Sequence, residues 1–75
     1  MNERWVRIPI LDLGCAGDTG RLERRLARQP GVVEVAVNSA TEAAYVRFDP
    51  RSTTPARLRD AIEREGYRTA APVAG

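Results

Sequence analysis

The chain has no histidine, no lysine and only one cysteine, Cys15, among its 75 residues. Without histidine it lacks the usual general base near neutral pH and the commonest metal ligand. A lone cysteine cannot close a disulfide within the chain, so stability must come from a regular, well-patterned core. An unpaired thiol fits a reducing compartment, and the cytoplasm is the expected location. No charged-then-apolar leader opens the sequence, and no apolar run approaches the roughly 20 residues that span a bilayer. Direct membrane insertion is therefore not expected. With one Cys, no His and no Ser beside a plausible base, the chain is not expected to be an enzyme.

Twelve basic residues stand against ten acidic ones, a net charge of +2, and every basic residue is arginine. Codon bias in a GC-rich genome accounts for that as well as any function does. Val6, Ile8 and Ile10 alternate with Trp5, Arg7 and Pro9, the period of a half-buried strand. Pro9 speaks against a strand, because it cannot donate to a ladder. DLGCAGDTG, residues 12–20, follows as a turn with three glycines. RLERRLARQ then places Leu22 and Leu26 four apart, with Arg21, Arg24, Arg25 and Arg28 over the remaining surface. That is an amphipathic helix. Asp18 or Thr19 is its natural N-cap, and Pro30-Gly31 stops it.

GVVEVAV sets Val33, Val35 and Val37 on one face of a second strand, ended by Asn38-Ser39. In a third, Ala44, Val46 and Phe48 alternate with Tyr45 and Arg47, closed by Asp49-Pro50. Thr54 caps a second helix that begins with Pro55, where a missing N–H costs nothing. Leu58, Ala61 and Ile62 face inward, and Gly66 sits at C′. Residues 67–70 are expected to form a short last strand. The expected domain covers residues 1–70, with 71–75 a flexible tail or the start of a linker. The order β-α-β-β-α-β gives an α+β, ferredoxin-like sandwich: a four-stranded antiparallel sheet with two helices on one face. That fold hosts many functions and decides none.

Four stretches carry a resemblance over roughly residues 8–67: the Cys15 turn leading into RLERRL, then PGVVEVAVN, AAYVRFDP and LRDAIEREGY. They resemble the heavy-metal-associated domains, which include small copper chaperones and the cytosolic N-terminal modules of metal-pumping P-type ATPases. The family's metal motif is Gly-Met-x-Cys-x-x-Cys. On this chain Asp12 takes the Gly position, Leu13 the Met position and Cys15 that of the first cysteine. Asp18 stands where the second should be.

The resemblance implies a heavy-metal ion as cargo (Zn, Cd, Co, Ni or Cu), held by Cys15 with Asp18 or Asp12 as oxygen donors. A soft monovalent ion gains most from thiolates, and a carboxylate replaces one poorly. Zn(II) tolerates one sulfur with oxygens. Water or a second molecule would complete the shell, the latter giving a metal-bridged dimer through Cys15. The helix start beside Cys15 favours thiolate formation. The plainer readings are a small buried hydrophobe for Cys15, a helix cap for Asp18 and a solvated turn residue for Asp12. Gly14, Gly17 and Tyr67 fall on the loops that the family brings near the metal, while the Tyr67 ring caps the core.

The implied partner is a metal-transporting P-type ATPase or its other domains. Arg21, Arg24, Arg25 and Arg28 would dock an acidic surface beside the metal loop, or else form an ordinary solvated face. Two rivals remain. A degenerate module would bind metal weakly or not at all and serve as an interaction or regulatory domain. An RNA-recognition domain would stack bases on an open sheet face carrying Trp5, Arg7, Tyr45 and Arg47. TEAA before YVRF lacks that motif's basic residue, glycine and second aromatic, so no nucleic-acid partner is expected.

Overall fold

The structure, a computed structural model, describes residues 2–13 and 19–74. The apolar alternation at the N-terminus forms β1 (Arg4–Pro9), which buries Val6 and Ile8. Leu22 and Leu26 are the buried stripe of α1 (Thr19–Ala27). The edge strand β2 (Val32–Asn38) follows, then β3 (Ala43–Phe48), then α2 (Pro55–Arg64) and β4 (Val73–Ala74). The sheet order is β2-β3-β1-β4 with every pairing antiparallel. Val6, Ile8, Val46 and Phe48 meet Leu22, Leu26, Leu58 and Ile62 in one core. This is the ferredoxin-like sandwich, with both helices on one face.

Pro9 lies in a central strand, and the pairing shows why it is tolerated. Ile10 donates its N–H to the Glu42 carbonyl at 2.8 Å, so alternate residues of β1 donate toward β3. The missing donor of Pro9 therefore points to the other neighbour. There β4 pairs only with Val6 and Arg7, and Ala70 donates to the Pro9 carbonyl at 3.0 Å. No ladder bond is asked of the proline nitrogen.

Two expectations are corrected. Val33 is 47% exposed rather than inward, because the register between β2 and β3 shifts between Val32 and Glu34. The bulge leaves Val33 unpaired and turns Val32 inward beside Val35 and Val37. The last strand is not at residues 67–70, which contribute a single bridge, Ile10 to Thr69. It is Val73–Ala74, inside the stretch expected to be a tail. A sheet that needs a partner for β1 takes whatever short segment the chain brings to that edge.

The helix boundaries follow their chemistry. Thr54 is extended, and its hydroxyl accepts the Arg57 N–H at 3.3 Å, with Pro55 opening α2. Gly66, at φ +99°, follows its C-terminus. Thr19 is already within α1, and the other candidate cap, Asp18, lies outside the described residues. From α1, Glu23 accepts the Val37 N–H at 2.7 Å. After β3, the Asp49 carboxylate accepts from the backbone and guanidinium of Arg51, which holds it below the usual carboxylate range.

Candidate metal-binding site

β1 leads through two buried residues, Ile10 and Leu13, to residues 14–18, and α1 begins at Thr19. Cys15, Asp18, Gly14 and Gly17 all fall outside the described residues. Leu13 is a core residue, 1% exposed. What the structure describes is therefore the frame on which the five-residue segment is carried.

One side of that frame is a second segment. Ile10 bridges Thr69, and Leu11 donates its N–H to the Arg68 carbonyl at 2.8 Å. The Asp12 carboxylate then accepts the Arg68 N–H at 3.0 Å. Tyr67, the preceding residue, is partly buried and packs against the core. Asp12 and Tyr67 are thus brought to the same corner, which is the end of β1 nearest Cys15 in sequence. Arg68 and Leu11 are the participants that sequence reading missed. They meet through backbone atoms, and a side-chain pattern carries no signal for that.

Among the described residues no group of three His, Cys, Asp or Glu side chains could hold a metal ion. The sulfur and oxygen candidates of the motif, Cys15 and Asp18, lie among residues 14–18.

The basic face is a real surface feature. Arg21, Arg24 and Arg25 on α1 and Arg28 just beyond its end are all exposed and lie together. Arg25 lies 3.7 Å from the Glu65 carboxylate, so the face reaches the end of α2. The open face of the sheet is committed differently. The Arg47 guanidinium sits 2.8 Å from Glu3 and 2.7 Å from Glu34, and 5.8 Å from the Trp5 ring centre. Tyr45 donates its hydroxyl to Thr41 at 2.9 Å. An arginine balanced by two carboxylates adds no net attraction for phosphate, which weighs against the RNA reading.

The model of the heavy-metal-associated domain matches residues 8–68. The chain belongs to the heavy-metal-associated domain family. The family is one of heavy-metal-associated binding modules. The chain is 35% identical over 65 residues to a copper-exporting P-type ATPase of Bacillus subtilis, covering 87% of this chain and 8% of that protein. It is 45% identical over 58 residues to copper-transporting ATPase 2 of Rhizobium meliloti, covering 77% of this chain and 7% of that one. The domain thus spans less than a tenth of the length of these relatives.

Among solved structures, the water-soluble region of the P-type ATPase CopA from Bacillus subtilis superposes with a TM-score of 0.80 at 34% identity. That match covers 91% of this chain and 45% of the other. Oxidised MerP from Ralstonia metallidurans shares the fold, with a TM-score of 0.83 at 23% identity and coverage of 92% and 96%. Among the described residues no helix of this heavy-metal-associated domain is long and apolar enough to cross a membrane.

Proposed function

We propose that this domain carries one heavy-metal ion at the segment between β1 and α1, with Cys15 as the sulfur ligand and Asp18 as an oxygen donor. The observation that carries the reading is the family match over residues 8–68, and the motif alignment read from the sequence sets Cys15 against the first cysteine. The absence of any rival three-ligand cluster among the described residues supports it. One thiolate with carboxylate and water suits Zn(II), Cd(II), Co(II) or Ni(II) better than Cu(I), which favours paired soft ligands.

Delivery would follow by ligand exchange when the domain docks on a metal-transporting P-type ATPase or on another domain of the same chain, in the cytosol. Residues 1–70 would serve as a metallochaperone or as the first module of such a pump. The face formed by Arg21, Arg24, Arg25 and Arg28 would steer that encounter toward an acidic partner, an effect that salt weakens.

Titration of wild type and Cys15→Ser with Zn(II) and Cd(II) tests the reading. Wild type should take up one equivalent, with sulfur-to-metal charge-transfer absorption for Cd(II), and Cys15→Ser should lose that absorption and bind at least about tenfold more weakly. Equal divalent binding by both would sink it. The carboxylate at the second cysteine's place favours one other reading, a metal-free interaction module, and wild type that binds none of the ions would establish it.

A further inference from the structure

We propose that Asp12 is a positioning residue, whose carboxylate holds residues 67–69 against the chain entering the metal-binding segment. Antiparallel pairing between β1 and this stretch reaches Ile10 and Thr69 and gives one further backbone bond, Leu11 N–H to the Arg68 carbonyl. At Asp12 the chain turns away, and the Arg68 N–H makes no backbone bond among the described residues. The Asp12 side chain supplies the acceptor instead, at 3.0 Å and 56 residues away in sequence. A carboxylate accepting a backbone N–H is among the stronger hydrogen bonds available near a surface. Alanine or glycine at this place would leave the Arg68 amide to water.

The far side of the same stretch is anchored to α2. Arg59 Nε donates to the Thr69 hydroxyl at 2.6 Å, and that hydroxyl donates to Glu63 at 2.8 Å. Thr69 is buried, so residues 67–69 are clasped between α2 and the Asp12 carboxylate. The clasp fixes the backbone that follows Tyr67 against Leu11 and Asp12, which lead into the segment carrying Cys15. With Oδ1 taken by the Arg68 amide, Asp12 acts by holding the chain that enters the metal-binding segment rather than as a ligand. Its bearing on metal rests on the Cys15 reading; the clasp does not.

The test is amide hydrogen exchange of metal-free wild type, Asp12→Ala and Asp12→Asn, followed by Zn(II) titration of each. Asp12→Ala should speed exchange at Arg68 by about tenfold, with Asp12→Asn, which keeps an acceptor, restoring most of the protection. The Ile8 amide should be unaffected in both. In the titration Asp12→Ala should bind severalfold more weakly, with Asp12→Asn recovering most of the loss. Unchanged exchange at Arg68 in Asp12→Ala overturns the proposal. So does equal loss at Arg68 and Ile8, which would make Asp12 a contributor to global stability. Equal weakening of Zn(II) binding by both substitutions would make Asp12 a ligand and overturn it too. If wild type binds no metal, the carrier reading fails while the Arg68 exchange still decides the clasp.

Discussion

Gly31 and Gly66 each follow a helix at positive φ, +85° and +99°, yet their surroundings differ. A Cβ on Gly31 would lie 2.7 Å from Ser52 Cβ and 3.0 Å from Thr53 Cγ2. The Gly31 carbonyl also accepts the Asp49 N–H at 2.8 Å, so the turn entering β2 is pressed against the turn leaving β3. A Cβ on Gly66 meets nothing within 4 Å. Gly31→Ala should therefore destabilise the domain by about 2–4 kcal/mol, strain and clash together. Gly66→Ala carries the strain alone, about 1–2 kcal/mol. Urea midpoints of the two variants, measured side by side, separate the effects, and equal losses would contradict this account. Asp12 and Asp18 differ in the same residue-by-residue way. One carboxylate accepts a backbone amide, and the other is proposed to stand at the second cysteine's place in the motif.

The elements show which sequence signals carry through to structure and which do not. The helices were the most legible, because Leu22 and Leu26, and Leu58 and Ile62, each fill a helical stripe, and Thr54, Pro55 and Gly66 punctuate α2. The strands were legible in type but not in detail. A valine run reads the same on either face, so the bulge that exchanges Val33 for Val32 leaves no trace in the residue pattern. β4 is set by what β1 leaves open, and Val73–Ala74 has no period of its own to read.

The outer strand β2 has a safeguard at this scale. Glu23 on α1 accepts the Val37 N–H at 2.7 Å, across 14 residues, and so covers a donor on a sheet edge. Glu23→Ala should cost about 1–2 kcal/mol and expose that amide to exchange, while Glu23→Gln, which keeps an acceptor, should lose less than half as much. Val37 protection unchanged in Glu23→Ala would show that the contact does not persist in solution.

At the scale of the whole molecule, the order of elements named the fold and four sequence stretches named the family, and both stand. The frame of the site was only half legible. Cys15 and Asp18 are proposed from the motif and lie outside the described residues, whereas the contact between Asp12 and Arg68 joins residues far apart in sequence, through one side chain and one backbone amide. No periodicity reports such a contact.

The central claim is that the domain keeps its family's metal position with one thiolate where the motif has two, and so favours a divalent ion over Cu(I). The most direct measurement is a competition titration of Cu(I) against Zn(II) on wild type and on Asp18→Cys. Restoring the second sulfur should raise Cu(I) affinity by about 100-fold or more and shift the preference from Zn(II) toward Cu(I). Cu(I) affinity that stays flat in Asp18→Cys would show that Asp18 does not occupy the second cysteine's place, and the account of the site would fail.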